Sequence, residues 1–128
     1  MALFGAISTA GSGLSVYRTW LDAISDNIAN INTIKPTSGP AYQEREIVAQ
    51  EVPSGVAVAD AVFGNAQDRL VSEPGNPLAD AQGLVRAPDI DLGDQMTQLM
   101  VAERAYQANL AVIDRARDAY LQAIQIGK

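Results

Sequence analysis

The residues that could do chemistry are few, and their types narrow the choice at once. The chain of 128 residues has no cysteine and no histidine. Thiolate nucleophiles, disulfides and cysteine-based metal sites are excluded, as is any triad that turns on an imidazole base. The commonest zinc ligand is missing as well. Carboxylates, amides and phenols remain. Asp89, Asp91 and Asp94 form the densest acidic cluster. Read as a calcium loop, the run puts Asp94 where the sixth position requires glycine and Met100 where the twelfth requires glutamate. Read as a hydrolytic carboxylate pair, it has no aromatic sugar platform beside it. Capping fits better: Asp91 as N-cap of a helix, with Asp94 favouring the free amides of its first turn.

Asn27, Asn30 and Asn32 crowd the end of an apolar stretch. Amides there could hold a ligand, but capping and helix–helix hydrogen bonding are their ordinary work. Tyr17, Tyr106 and Tyr120 recur at helical spacing, which marks packing residues rather than chemical ones.

The elements that must position these residues are two long helices. Leu3, Ile7, Ala10, Leu14, Tyr17, Leu21, Ile24, Ile28 and Ile31 step alternately by four and three. That is a heptad seam, and it predicts a long amphipathic helix in need of a partner helix. Gly11-Ser12-Gly13 weakens it by roughly 1 kcal/mol per glycine. Residues 1–13 are therefore expected to order only when something packs on them. Asn near residue 30 is expected to take a left-handed cap, and Pro36 stops any continuation. The second seam is Leu92, Met96, Leu99, Glu103, Tyr106, Leu110, Ile113, Arg117, Tyr120 and Ile124. Two of its positions are charged, Glu103 and Arg117, and a polar seam residue fixes register; they are expected to pair within or between subunits. A separate small face carries Ala102, Ala105, Ala108, Ala116, Ala119 and Ala123.

Between the helices lies a different pattern. Residues 33–41 are a turn-rich linker. Clean alternation in 55–62, partial alternation in 42–52, the short β-prone run 69–72 and Leu84-Val85-Arg86, with dense turn chemistry at Glu73-Pro74-Gly75-Asn76-Pro77 and at Gln82-Gly83, predict three or four short strands. The fold class that follows is mainly α with a small β insert: residues 1–41 as helix plus linker, 42–90 as insert, 91–128 as the second helix. The simplest arrangement is an antiparallel helical hairpin with the insert at its tip. One hairpin cannot bury both a full seam and an alanine face, so surplus apolar surface implies self-association or a helical partner.

Charge narrows the partners. The net charge is −6. The first 41 residues and the last 37 are each neutral, so the whole excess sits in the insert. There is no basic footprint for nucleic acid or anionic lipid. No Lys or Arg precedes Arg18 and no dense apolar core follows, so a cleaved signal peptide is not expected. No run is apolar and long enough for a bilayer span.

One family fits these patterns. Leu21 to Thr33, with Asn27, Asn30, Asn32 and Thr33 in place, resembles the N-terminal motif of flagellar rod and hook axial proteins. Glu73 to Gly83 resembles the central motif of the short proximal-rod member. Arg104-Ala-Tyr-Gln-Ala-Asn109 and Ile124-Gln-Ile-Gly127 resemble its C-terminal helix. Departures touch the insert and linker: Leu84 stands where an aromatic is usual, Lys35-Pro36-Thr37 replaces a variable linker, and Gln43-Glu44 replace basic residues. The resemblance implies a structural subunit of the basal-body rod rather than an enzyme, with no cofactor and no metal. It implies export through the flagellar type III apparatus without a cleaved signal, partners among other rod proteins and copies of itself, a periplasmic location, and torque transmission. The residues it makes responsible are seam and motif positions: Leu14, Tyr17, Leu21, Ile24, Asn27, Ile28, Asn30, Asn32, Leu99, Glu103, Tyr106, Asn109, Leu110, Ile113, Arg117, Tyr120 and Ile124. The alternative from the residues alone is a soluble helical adaptor that binds one partner through its heptad face.

Overall fold

The computed structural model describes residues 2–64 and 68–127. In chain order it contains helix α1 (Ala2–Asn30), strands β1 (Arg45–Val52), β2 (Gly55–Phe63), β3 (Arg69–Ser72) and β4 (Leu84–Ala87), and helix α2 (Leu92–Ile126). The two helices are antiparallel. Asn27 of α1 bonds Gln95 of α2, Gly13 abuts Asn109, and the Phe4 ring meets the Tyr120 ring edge-on, 5.9 Å between centroids.

Helix α1 runs unbroken through Gly11-Ser12-Gly13, contrary to the weak start read from the glycines. The reason is packing on both sides of that triplet. Gly13 is buried against Asn109, where a Cβ would come within 2.8 Å of the amide oxygen. Ser12 accepts a hydrogen bond from Val56 N at 3.1 Å. Nor does the helix end in a left-handed asparagine; among the described residues only glycines have positive φ. Asn30 instead accepts from Thr33 N on its carbonyl at 2.9 Å and from Thr33 Oγ1 on its side chain at 3.2 Å. Helix α2 starts as predicted: Asp91 accepts from Asp94 N at 2.9 Å.

The strands form two separate antiparallel pairs, β1–β2 and β3–β4. The shorter pair stays beside the linker, where Lys35 and Arg86 exchange backbone bonds at 2.9 Å. The longer pair is not at the tip of the helical hairpin. It folds back along α1, from Asn27 at its base to Ser12 at its turn. The lengths agree: eight strand residues at ~3.3 Å each cover about the same distance as fifteen helical residues at ~1.5 Å. Gly55 permits the return. Its φ is +136°, and a Cβ there would lie 2.2 Å from Ser12 Oγ.

The buried stripe of each helix is displaced by one residue from half of the predicted seam. On α2 the most enclosed positions are Gln95, Ala102 and Ala116, with Asn109 half-buried between them. Met96, Glu103, Leu110 and Arg117, one residue on, face solvent. One residue is about 100° around a helix. On α1 the same shift buries Gly13 and Asn27 rather than Leu14 and Ile28, which are half-buried. Small side chains decide this. Alanine and glycine let the two backbones approach closely, and a leucine seam would hold them apart.

Candidate assembly interface

Asn27 is the point where three elements meet. It is 1 % exposed and uses its full hydrogen-bonding capacity. Its Nδ2 donates to Arg45 O and to Gln95 Oε1, both at 3.0 Å. Its Oδ1 accepts from Arg45 N at 2.9 Å and from the Tyr42 hydroxyl at 3.0 Å. The node thus ties α1 to the start of β1 and to the first turns of α2. Gln95, fully buried, passes the chain on by donating to the Glu44 carboxylate. Asp26 pairs with the Arg45 guanidinium at the rim. Burial pushes the Tyr42 phenol above its usual value, and the Asp26 carboxylate adds to the rise. The phenol therefore stays a neutral donor. Buried amides at a helix crossing are costly unless paired; the amide nitrogen and oxygen of both Asn27 and Gln95 have partners, while Arg45 Nε beside them is buried without one.

A second knot holds the insert. Asp80 accepts from Gln82 N and Leu84 N, both at 2.9 Å, and from Thr37 Oγ1 at 3.0 Å. Those bonds, led by the one from Leu84 N, hold its carboxyl below the ordinary aspartate value. Asn76 braces the preceding turn through Glu73 and Leu78 N. Gly83, at φ +75°, packs against Pro74. The Glu73–Gly83 motif is thus a self-bonded loop.

The predicted interface residues divide into three groups. Ile24 and Asn27 are buried in the hairpin. Leu14, Tyr17, Leu21, Ile28, Asn30, Leu99, Tyr106, Asn109 and Ile113 are half-buried along its edges. Asn32, Glu103, Leu110, Arg117, Tyr120 and Ile124 face solvent. Glu103 and Arg117 do not pair within the chain. The ion pairs among the described residues are Arg45–Asp26 and Arg86–Asp68, and two heptads on one helix separate the other two charges by about 21 Å. Gln95, Gly13, Ser12 and Gly55 were not singled out as contact residues from the sequence. A signal for Gln95 existed: it begins the small-or-amide series Gln95, Ala102, Asn109, Ala116, which repeats every heptad.

Outside the hairpin, α2 presents a long apolar stripe. Leu92, Met96, Met100, Leu110, Leu121 and Ile124 are 44–58 % exposed, and Val101, Val112 and Tyr120 are 43–51 % exposed. No group of acidic residues that could hold a metal ion occurs among the described residues, and no described helix is long and apolar enough to cross a membrane. A helical pair closed by a buried amide node, with its surplus apolar surface turned outward, defines the class: a helical assembly module. Comparison with known proteins makes this particular. Residues 7–34 match the family model described as flagella basal body rod protein, and residues 81–126 match the flagellar basal body rod FlgEFG protein C-terminal model. The chain is 36 % identical to the flagellar basal-body rod protein FlgC of Escherichia coli O157:H7 and 34 % to that of Salmonella typhimurium, over 100 % of each chain. It is 31 % identical to FlgC of Borreliella burgdorferi over 98 % of each. The chain belongs to the FlgC family of flagellar basal-body rod proteins. Membership disfavours the single-partner adaptor.

Proposed function

We propose that this chain is a structural subunit of the proximal rod of the bacterial flagellar basal body, where copies pack through their terminal helices and carry torque from motor to hook. The observation that supports this most is the exposed stripe of α2. A free subunit leaves that much apolar surface uncovered only when an assembly covers it. Asn32 and the solvent-facing half of the seam would meet neighbouring rod subunits, while the Asn27 node holds the two helices in register for them. In this reading the chain performs no catalysis and takes no cofactor. It reaches the periplasmic rod through the flagellar export apparatus without cleavage of a leader, and its acidic insert keeps inserts of neighbouring copies apart. Residues 1–41, 42–90 and 91–128 act as helix with linker, insert and second helix of one unit.

Deleting the gene tests the reading. Swimming should be lost, basal bodies should end at the membrane ring in electron micrographs, and the wild-type gene should restore both. Normal flagella after deletion would sink it.

A further inference from the structure

The stripe that α2 leaves in solvent has an internal order that a single copy does not use. Leu110 lies at its middle, 44 % exposed. Moving outward by whole heptads in both directions matches Glu103 with Arg117 and Met96 with Ile124. Acid meets base, and apolar meets apolar. Met96 and Ile124 are both exposed, and neither charge has an ion-pair partner among the described residues.

A surface that matches itself when reversed is self-complementary about a two-fold axis. We propose that two copies of this chain pair through α2, antiparallel, with the axis at Leu110. Glu103 of each helix then faces the partner's Arg117, and the contact is made twice. A parallel pair in register would set Glu103 against Glu103 and Arg117 against Arg117, so the charges select the antiparallel pair. From Met96 to Ile124 the contact spans four heptads, about 42 Å at the helical rise per residue, which is sufficient for a coiled-coil seam.

An isologous pair closes on itself and leaves no open end. It also covers the stripe assigned above to rod packing. The pair therefore holds free copies out of a polymer until it separates. Only that consequence rests on the rod reading; the pairing itself belongs to the purified chain, and a solution experiment tests it alone.

Sedimentation of the full-length chain decides the matter, with Glu103→Arg, Arg117→Glu and the double exchange measured beside it. Each single change turns both attractions into repulsions and should weaken the dimer about tenfold or more. The double exchange should restore it. Mixing the two single variants is the sharpest arm: every contact in the mixed pair sets Arg against Glu, so the mixture should dimerise where neither variant does alone. Leu110→Glu puts two acids on the axis and should give a monomer with unchanged helical circular dichroism, since the side chain is exposed. A wild-type chain that stays monomeric at millimolar concentration overturns the proposal. So does a mixture that stays monomeric, or a helical double variant that fails to recover the dimer.

Discussion

Replacing Asn27 with alanine removes four hydrogen bonds at one stroke. Each neutral bond contributes about 1 kcal/mol net, and a buried partner left unpaired costs a further 1–3 kcal/mol. The partners do not lose equally. Gln95 is fully enclosed, so its amide oxygen finds no water. Tyr42 and Arg45 are only half-buried, so their groups recover part of the loss from solvent. The balance is about 3 kcal/mol, and at this chain length that lowers the melting temperature by on the order of 10 °C. Asn32→Ala is the control. It lies in the same motif, but it is exposed and no side-chain bond of its own is recorded among the described residues, so its effect should stay within about 0.5 kcal/mol. Urea unfolding followed by circular dichroism and by the fluorescence of Trp20 reads both variants. Protein concentration must be fixed, because self-association adds to apparent stability. A cycle with Gln95→Ala adds a second check. Once Asn27 is gone the Gln95 oxygen is already unpaired, so the double variant should cost less than the two singles together. If Asn27→Ala behaves like Asn32→Ala, or if the cycle is additive, the node does not hold the helices and the reasoning fails.

Other changes follow from the same contacts. Gly11 has open space around it, so Gly11→Ala should raise stability by about 1 kcal/mol through helix propensity alone. Gly13→Ala should forfeit that gain and fall below wild type, because its Cβ displaces the Asn109 amide from its 2.8 Å bond to Ala105 O; denaturant midpoints of the pair decide it. Gly55→Ala meets both a left-handed backbone and Ser12, and should cost about 2 kcal/mol or more, with hydrogen exchange of the β1–β2 amides rising more than that of α2. Asp80 is held below its ordinary value by its bonds, so its stabilisation is present above roughly pH 4 and is lost as pH falls through the lowered value. Asp80→Asn should therefore flatten the acid limb of the stability–pH curve and leave neutral pH little changed, as the amide can keep two of the acceptor bonds.

Much of this protein was legible one residue at a time. The four-three spacing marked both helices, because burial on one side of a 3.6-residue turn imposes that period wherever the partner lies. Asp91 announced a helix start, and short β-prone runs between glycine and proline turns pointed to three or four strands, since these are properties of local backbone geometry. Other features depend on what comes near what. Periodicity offered two faces on α2, apolar and small, and had no means of ranking them. Close approach of the backbones ranked them, seating Gln95, Ala102 and Ala116 inward and leaving Leu110 and Ile124 in water. Gly11-Ser12-Gly13 reads as a helix breaker in isolation, because propensity counts only the residue's own entropy. In the fold the same lack of side chain at Gly13 admits Asn109, and Ser12 anchors a hairpin whose turn lies more than forty residues away. Asn27 was conspicuous in the sequence, but its four partners come from the loop before β1, from β1 itself and from the far helix. Only the folded chain brings them within 3.0 Å. The sequence determined which residues seek burial; the tertiary structure decided which of them find it within the chain and which stay in solvent, because only close approach of the two backbones ranks one face of a helix above another.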